Sequence, residues 1–295
     1  MTILPSSRIR LLLNLRPPDW YVGDLVEVGR GLSATVYRGE TAALDTIAVR
    51  VPHQRWATSD NDPEVLDARD ALRQEAYLAR HMARFGVPVP TVHAVEFSDE
   101  VDLLVTSFVE GDGRPVTSEQ LGELAARIHA ADPFPGRLVA QASDDVHLLV
   151  ATRLHDRAAI LSRWTGVPLS LPPPDALRER LQEDTSRLCM LHMDLRPANV
   201  IAQDGRPLAL VDWDNALRGP AALELARAAE SGVRTPAFDH GYRRVCEPEY
   251  VPAAAEKIYR LDTAVMLALV FVSEAPDPMQ AARQLARVRS LVRDL

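Results

Sequence analysis

This sequence has almost no lysine and very little cysteine. Lys257 is the only lysine, so arginine supplies nearly all of the positive charge. The two cysteines, Cys189 and Cys246, are too few for a disulfide framework, and their spacing matches no metal-binding pattern. Unpaired cysteines suit a reducing environment, so we expect a cytoplasmic protein. A site that needs a fixed cation away from Lys257 has to use arginine.

Long apolar runs and a surplus of basic residues are also missing. The apolar run at 265–272 is far too short to span a bilayer. Three leucines at 11–13 are broken by Asn14 and then by Pro17 and Pro18, so the N-terminal stretch lacks the features of a signal peptide. The formal net charge of -8 argues against a nucleic-acid binder, which would be basic. We therefore expect neither a membrane nor a nucleic-acid partner.

Internal repeats and low-complexity segments are absent as well. The 295 residues are enough for one large domain or for two lobes that each bury a core. A hydrophobic share of 47% with 25% charged residues is ordinary for a globular protein and excludes a disordered chain.

The first third of the sequence is rich in short β-branched runs separated by glycine and polar residues. Such runs are typical of antiparallel strands. Between them, residues 68–84 have apolar side chains at helical spacing, and Gly86 and Pro88 then end that helix. Polar residues and proline at 57–67 predict a surface loop. The predicted strands are 25–28, 35–38, 46–51, 92–97 and 103–109.

Helical periodicity dominates beyond Gly113, with a single β-like stretch at 191–214. We therefore expect an α+β protein with a mostly β N-terminal part and a mostly α C-terminal part, joined near 107–113. The predicted helices are 118–130, 146–164, 175–188, 221–231, 253–272 and 278–295.

The strongest chemical signal is the segment HMDLRPAN at 192–199, followed by LVDWD at 210–214. Asn199 lies five residues after Asp194, and Asp212 lies thirteen residues after Asn199. Phosphoryl transfer needs a carboxylate that accepts the proton of the attacking hydroxyl, and oxygen ligands for the magnesium ion that bridges the phosphates. An Asp and an Asn on one loop, with an Asp after the next strand, can meet both needs.

This pattern resembles the catalytic loop and metal-binding segment of the aminoglycoside phosphotransferase and choline kinase-like family, which is related to the protein kinases. The resemblance implies a bilobal, protein kinase-like fold with an antiparallel β N-lobe at 1–106, a hinge at 107–113 and a mainly helical C-lobe at 114–295. It implies that Asp194 is the catalytic residue and that Asn199 and Asp212 are the magnesium ligands. The C-lobe would hold the catalytic loop and the acceptor site.

The same family predicts residues for nucleotide binding further upstream. Gly29 and Gly31, in the segment GRGLSATVY, resemble a glycine-rich hairpin over the phosphates, although Ala34 replaces its third glycine. Arg50 ends the segment IAVR, where protein kinases have a phosphate-binding lysine. Glu75 is the helix glutamate that the family pairs with this cation.

A hinge strand completes the resemblance. The apolar run at 103–109 is followed by Glu110 and Gly111, as in the hinge strand of the family. The resemblance implies that backbone groups from Ser107 to Val109 meet the adenine edge. The segments GVPVP at 86–90 and LGELAARIH at 121–129 also match family patterns. Two positions depart from the family, Met193 and Arg196, and both lie beside the expected acceptor hydroxyl.

These features predict an enzyme that uses ATP, or alternatively GTP, with Mg2+ to phosphorylate a hydroxyl group of a small molecule. No A-P-E segment follows Asp212, which disfavours a protein kinase. The part of the chain after Asp214 is balanced in charge, so it does not predict the acidic pocket that a polycationic aminoglycoside needs. An antibiotic, an amino sugar, an amino alcohol or a related metabolite all stay open as acceptors, and the oligomeric state is not predicted. The alternative is a catalytically idle nucleotide- or ligand-binding protein with the same fold.

Overall fold

The computed structural model describes residues 5–15, 20–61, 65–293 and 295. Pro17 and Pro18, residues 62–64 of the predicted loop and residue 294 of the predicted last helix lie outside the described residues. The helices are α1 (Ser6–Asn14), α2 (Ala68–Ala83), α3 (Ser118–Ala130), α4 (Val146–Thr165), α5 (Pro174–Leu181), α6 (Ala221–Glu230), α7 (Pro236–Arg243), α8 (Ala253–Leu269) and α9 (Pro278–Arg293). The strands are β1 (Val26–Arg30), β2 (Ala34–Thr41), β3 (Asp45–Pro52), β4 (Trp56–Ala57), β5 (Leu66–Asp67), β6 (Val92–Phe97), β7 (Asp102–Ser107), β8 (Leu188–Leu191), β9 (Val200–Gln203), β10 (Arg206–Leu210) and β11 (Leu217–Pro220).

The chain divides into two compact units. The first contains Met1–Ala57, Val65–Val116 and Pro197–Asp214, and the second contains Thr58–Glu64, Thr117–Arg196 and Asn215–Leu295. The segment from Pro197 to Asp214 thus belongs with the N-terminal residues, although it follows more than eighty residues of the second unit. This division rests on backbone contacts and does not test the predicted functional lobes or the hinge at 107–113, which stay predictions.

A five-stranded sheet in the order β1-β2-β3-β7-β6 forms the centre of the first unit, and every neighbouring pair is antiparallel. Side chains of a strand alternate between the two faces of a sheet. On β3, Ile47, Val49 and Val51 are buried in the apolar core of one face. Arg50 therefore projects from the opposite face.

Helix α2 brings its side chains to that opposite face of the sheet. Asp67 caps its start by accepting a hydrogen bond from the N–H of Arg69. Leu72 and Ala76 of α2 pack against Leu104 of β7 in a separate apolar cluster. Helix positions three and four residues apart share a face. Glu75, three residues after Leu72, therefore lies on that face, and Gln74 beside it is buried as well.

A short hairpin of β9 and β10 completes the first unit. The strands are antiparallel, with Leu210 opposite Val200, and Asp204 and Gly205 in the turn both have positive φ. The N–H of Leu210 donates to the carbonyl of Pro88, and the N–H of Asp204 donates to the carboxylate of Asp112. The hairpin is thereby fixed to the segments that precede β6 and follow β7.

The second unit is helical around one large apolar core, which α4, α5, α6, α8 and α9 share with the antiparallel pair β8–β11. Helices α3 and α7 touch at two glycines. A Cβ at Gly122 would lie 2.0 Å from the carbonyl oxygen of Phe238, and one at Gly241 would lie 2.0 Å from that of Glu119. Only glycine permits this approach. In the part of the chain that the structure describes, no helix combines the length and the apolar character that crossing a bilayer requires.

The predicted α+β class, with an antiparallel β N-lobe and a mainly helical C-lobe, is confirmed. Several element predictions were wrong in detail. The helix predicted at 175–188 ends at Leu181, and residues 188–191 form a strand because they pair with β11. Helices α1 and α7 were not predicted, and the predicted loop at 57–67 is bounded by the paired strands β4 and β5. The helix predicted at 253–272 continues from Leu269 as a π-helical turn, Val270–Glu274.

Candidate active site

Arg50 is surrounded by carboxylates in the first unit. Its Nη2 donates to Asp214 Oδ2 at 2.7 Å and to Asp212 Oδ1 at 3.2 Å, and its Nη1 lies 3.6 Å from Glu75 Oε2. Burial by itself would lower the pKa of Arg50, but the charges of Asp214, Glu75 and Asp212 together raise it. Arg50 is therefore a permanent cation in a site where carboxylates outnumber it.

Helix α2 fixes the turn that carries two of these carboxylates. Glu75 accepts hydrogen bonds from the N–H groups of Asp212 (3.2 Å) and Trp213 (2.6 Å). Gln74 donates to the carbonyl oxygens of Trp213 (2.6 Å) and Asp214 (3.3 Å). Asp212 has a φ of 69°, a left-handed conformation that costs energy for a residue other than glycine. These bonds from α2 hold the turn in that conformation.

The charge state of Glu75 follows from its crowded surroundings. Burial raises the pKa of Glu75 to about 7, and the nearby carboxylates of Asp214 and Asp212 act in the same direction. The guanidinium of Arg50 and the hydrogen bond from Trp213 oppose this rise. The raised pKa of Glu75 thus reflects its burial first, and the two neighbouring carboxylates add to the effect.

Asn199 and Asp212 come together at the open end of the β9–β10 hairpin. Asn199 is buried in a short helical turn, Pro197–Asn199, directly before β9. Its carbonyl accepts a hydrogen bond from the N–H of Val211, the residue before Asp212. The two predicted magnesium ligands therefore lie on backbone segments that are hydrogen-bonded to each other.

The two glycines of the predicted phosphate loop lie at the β1–β2 turn. A Cβ at Gly29 would meet nothing within 4 Å, and one at Gly31 would meet only the carbonyl oxygen of Ala34, at 3.8 Å. Neither residue has positive φ. The fold itself therefore does not require glycine at either position, and the space above the backbone is open to a ligand.

His53, which the sequence analysis did not single out, lies against this turn from the end of β3. Its Nε2 lies 3.0 Å from Thr35 Oγ1, and its Nδ1 lies 3.2 Å from the carbonyl oxygen of Leu32. The N–H of His53 also donates to the carbonyl of Ser33. These contacts hold the turn to β3, the strand that carries Arg50.

The predicted adenine-binding segment follows β7. The N–H and the side chain of Ser107 are both hydrogen-bonded to Thr91, and the N–H of Phe108 donates to the carbonyl of Thr46. Within the described residues, the N–H of Val109 makes no backbone hydrogen bond. A nucleotide could therefore receive a backbone hydrogen bond from Val109, whereas the N–H of Ser107 is already in use.

Asp194 lies on a tightly held loop of the second unit. The preceding residue, Met193, is buried and has a φ of 61°. The N–H of Asp194 donates to His192 Nδ1 at 3.2 Å, and Arg196 Nε donates to Asp194 Oδ2 at 3.2 Å. His192 is fully buried, so it supports the loop from the interior of the unit.

Glu224 of α6 fixes this loop and was not predicted. Its carboxylate accepts hydrogen bonds from the N–H groups of Met193 (2.6 Å) and His192 (3.3 Å), and it lies 2.8 Å from His129 Nε2. Burial by itself would raise the pKa of Glu224, but the hydrogen bond and charge of His129, followed by the charge of His192, lower it. A single acid in the apolar helix segment 221–226 was the available signal, because a buried carboxylate needs partners.

The oxygen donors of the first unit suit a magnesium ion. Among the described residues, no group of three or more His, Cys, Asp or Glu is arranged to hold a metal. Magnesium, however, is commonly bound by one or two protein oxygens together with substrate phosphates and water. Asp212, whose side chain is 38% exposed, and the adjacent Asn199 supply such a partial set.

Comparisons with known proteins agree with this geometry. Residues 24–255 match the model of the phosphotransferase enzyme family. A proposed fructosamine-3-kinase from Haemophilus somnus is similar in fold, with a TM-score of 0.71 at 12% identity over 96% of each chain. Aminoglycoside phosphotransferase APH(4)-Ia has a TM-score of 0.65 at 16% identity, covering 98% of this chain and 99% of its own.

A third structure is a choline/ethanolamine kinase family protein from Mesorhizobium loti, with a TM-score of 0.62 at 20% identity over 97% of this chain and 94% of its own. At these identities the three structures show the fold alone, which is kinase-like. No curated protein sequence matches the chain.

Proposed function

The chain belongs to the phosphotransferase enzyme family, and we propose on that premise that it transfers the γ-phosphoryl group of ATP, with Mg2+, to a hydroxyl group of a small molecule. Membership makes the chain a small-molecule kinase. Three points are proposals: that the nucleotide is ATP, with GTP as the alternative, that the metal ion is Mg2+, and that the acceptor is a hydroxylated small molecule. The observation that carries the proposal is the arrangement of Arg50 with Glu75, Asp212 and Asp214.

The charge balance around Arg50 supports a nucleotide with a metal ion. One guanidinium lies within 3.6 Å of three carboxylates, so the group is negative without a further cation. Asn199 and Asp212 would hold Mg2+, which when bound with ATP neutralises the phosphate oxygens during transfer. Arg50 would bind the α- and β-phosphates, because a guanidinium donates two parallel hydrogen bonds to oxyanions. Glu75 would keep Arg50 and the turn at Asp212 in position.

The remaining nucleotide contacts are proposed from the first unit. Gly29 and Gly31 would let the phosphates lie close to the backbone of this hairpin, since no side chain fills the space above them. Val109 would bind the adenine edge through its backbone, and Ser107 would support that segment through its bonds to Thr91. Residues 1–106 would act as the nucleotide-binding lobe, 107–113 as its hinge and 114–295 as the lobe for the acceptor.

Asp194 is the proposed catalytic residue. Its carboxylate would accept a hydrogen bond from the acceptor hydroxyl and take the proton as the bond to phosphorus forms. Arg196 Nε, at 3.2 Å, holds one oxygen of that carboxylate, and Glu224 fixes the backbone before it. The reacting group is thereby held by neighbours in the same unit. A cytoplasmic location, where ATP is abundant, remains part of the proposal.

The first experiment measures Mg2+-dependent ADP release from ATP across hydroxylated antibiotics, amino sugars, amino alcohols and nucleosides. Asp194→Ala should lower kcat by about 100-fold or more and leave ATP affinity unchanged, since the carboxylate acts on the acceptor. The matched control is Asp144→Ala, at a side chain that is 99% exposed, and it should behave as wild type. Full turnover in Asp194→Ala would remove Asp194 from the chemistry. ATP binding without turnover on any acceptor would favour the idle binding protein.

Asp212→Asn separates the metal role from the structural one. Asparagine tolerates the left-handed conformation at this position, so the free energy of unfolding should stay within about 0.5 kcal/mol of wild type. Mg2+-dependent ATP binding should fall by about tenfold or more, because a carboxylate ligand is lost. Titration calorimetry with and without Mg2+ checks this, and unchanged affinity in both conditions would contradict Asp212 as a ligand.

A further inference from the structure

Two arginines share one buried carboxylate in the second unit. Asp262 of α8, which is 1% exposed, accepts hydrogen bonds from Arg153 Nη2 at 2.8 Å and from Arg157 Nη1 at 3.1 Å. Both arginines lie on α4, four residues apart, and therefore on one face of that helix. Asp262 thus accepts hydrogen bonds from both guanidinium groups in a place that bulk water barely reaches.

A third arginine, Arg227 of α6, belongs to the same surroundings. Within the described part of the chain, the side chain of Arg227 makes no hydrogen bond or ion pair, although the residue is only partly exposed. It lies one turn after Glu224, whose carboxylate holds the loop before Asp194. Burial lowers the pKa of Arg227, and the carboxylate of Asp194 is the strongest charge that acts against this. Arg153 and Asp262 act on the same guanidinium, so the three arginines form one cluster.

Polar atoms without partners mark the same place. Arg153 Nε is buried and has no hydrogen-bond partner. Both side-chain amide atoms of Asn61 lack partners as well, although the residue is only 9% exposed. The carbonyl of Asn61 accepts a hydrogen bond from Arg157 Nε at 2.8 Å, which places this residue at the cluster. Buried polar groups nearly always have partners, so a polar ligand is the simplest way to satisfy these atoms.

We propose that Arg153, Arg157 and Arg227 form an acceptor subsite for an oxyanion, so that the acceptor is a hydroxylated compound carrying a carboxylate. Arg227 and Arg153 would bind the carboxylate while the hydroxyl group meets Asp194. Arg157 stays on Asp262 and positions Arg153 beside it. The inference rests on the proposed function for the role of Asp194. It disfavours polycationic aminoglycosides, because three arginines would repel them.

The test uses hydroxylated probes of similar size that differ in charge, titrated into the full-length protein without nucleotide. One set is D-glycerate, glycerol and 3-amino-1,2-propanediol, and a larger set is D-gluconate, D-glucose and D-glucosamine. The carboxylates should bind and the neutral and cationic members should not. Arg227→Gln should weaken carboxylate binding by about 10- to 100-fold, the usual effect of losing a charged hydrogen bond, and Arg227→Lys should restore part of it.

Controls keep the result from depending on one substitution. Arg153→Gln, in the neighbouring helix, should weaken the same probes if Arg227→Gln fails to fold. Arg283→Gln removes an arginine at an exposed position of α9 and should bind as wild type. Binding of glycerol 3-phosphate with the same dependence on Arg227 would support the subsite and extend it to phosphate.

The inference is overturned if no carboxylate binds, if neutral and cationic probes bind equally well, or if both arginine variants bind as wild type does. Mg2+–ATP binding, measured separately, distinguishes this outcome from failure of the proposed function. Turnover of a cationic acceptor without carboxylate binding would remove only the subsite. Carboxylate binding in a protein that binds no ATP would instead count against the kinase function.

Discussion

Two loops, one in each unit, are held by the same device. Asp212 and Met193 both have left-handed backbone conformations, with φ of 69° and 61°. At each loop a buried glutamate from a helix accepts hydrogen bonds from two successive backbone N–H groups, with a shorter bond of 2.6 Å. Glu75 of α2 does this in the first unit, and Glu224 of α6 does it in the second.

The two glutamates differ in the charges around them. Glu75 faces Arg50 but shares it with Asp212 and Asp214, and its pKa is raised to about 7 by burial and by those carboxylates. Glu224 faces His129 and His192, whose influence outweighs burial and lowers its pKa. Both glutamates thus hold a loop backbone, but carboxylates outnumber cations around Glu75, whereas histidines oppose the charge of Glu224. The magnesium and phosphate site proposed for the first loop would use uncompensated oxygens, whereas the carboxylate of Glu224 only fixes the backbone before Asp194.

Removing the carboxylate of Glu224 should have the largest effect on stability. Glu224→Ala should lower the free energy of unfolding by about 3–5 kcal/mol, because His129 and two backbone N–H groups lose a buried partner. Turnover should fall as well, since the loop before Asp194 is no longer fixed. Urea denaturation measures the first effect. Glu256→Ala, at an exposed position of α8, is the control and should change stability by less than about 0.5 kcal/mol. An equally small loss in Glu224→Ala would contradict the role of Glu224 in holding this loop.

Replacing each glutamate by glutamine should lower the free energy of unfolding by different amounts in the two loops, and both losses should be smaller than that of Glu224→Ala. Glu224→Gln should cost about 1–3 kcal/mol at pH 8, because the ionised form is favoured and one N–H loses its acceptor. Glu75→Gln should cost at least about 1 kcal/mol less, since burial raises the pKa of Glu75 and so makes its ionised form less favourable in the folded protein. Denaturation of both variants under one buffer condition provides the measurement. Equal losses would show that the neighbouring charges do not matter.

Acidity should affect the two loops with opposite sign, by on the order of 1 kcal/mol per pH unit at most. The lowered pKa of Glu224 gives stability that is present above the unfolded value and is lost as the pH falls through the folded value. The raised pKa of Glu75 gives stability that is present below pH 4.5 and is lost as the pH rises from 4.5 to about 7. Wild type and each glutamine variant should be compared between pH 3.5 and 8. Parallel profiles for both variants would contradict the assigned shifts.

Much of the first loop could be predicted from the sequence, whereas the support of the second could not. The expectation that Glu75 pairs with Arg50 rested on the family resemblance, and the structure places both residues beside Asp212. Asp214 stood in the same motif, but its 2.7 Å contact with Arg50 was not foreseen. Glu224 lies in an apolar helix segment with no motif of its own, so only its burial reveals its role.

The sequence by itself determined the element types of most segments, the family and the order of the chemical residues. These depend on local periodicity, on turn residues and on fixed spacings such as that from Asp194 to Asn199. The tertiary structure alone decided which buried carboxylate holds which loop, and that the side chain of Arg227 has no hydrogen bond or ion pair among the described residues. Glu75 and Asp212 are 137 residues apart, and no local pattern encodes a hydrogen bond over that separation. Such bonds form only where packing removes water and brings distant donors and acceptors together.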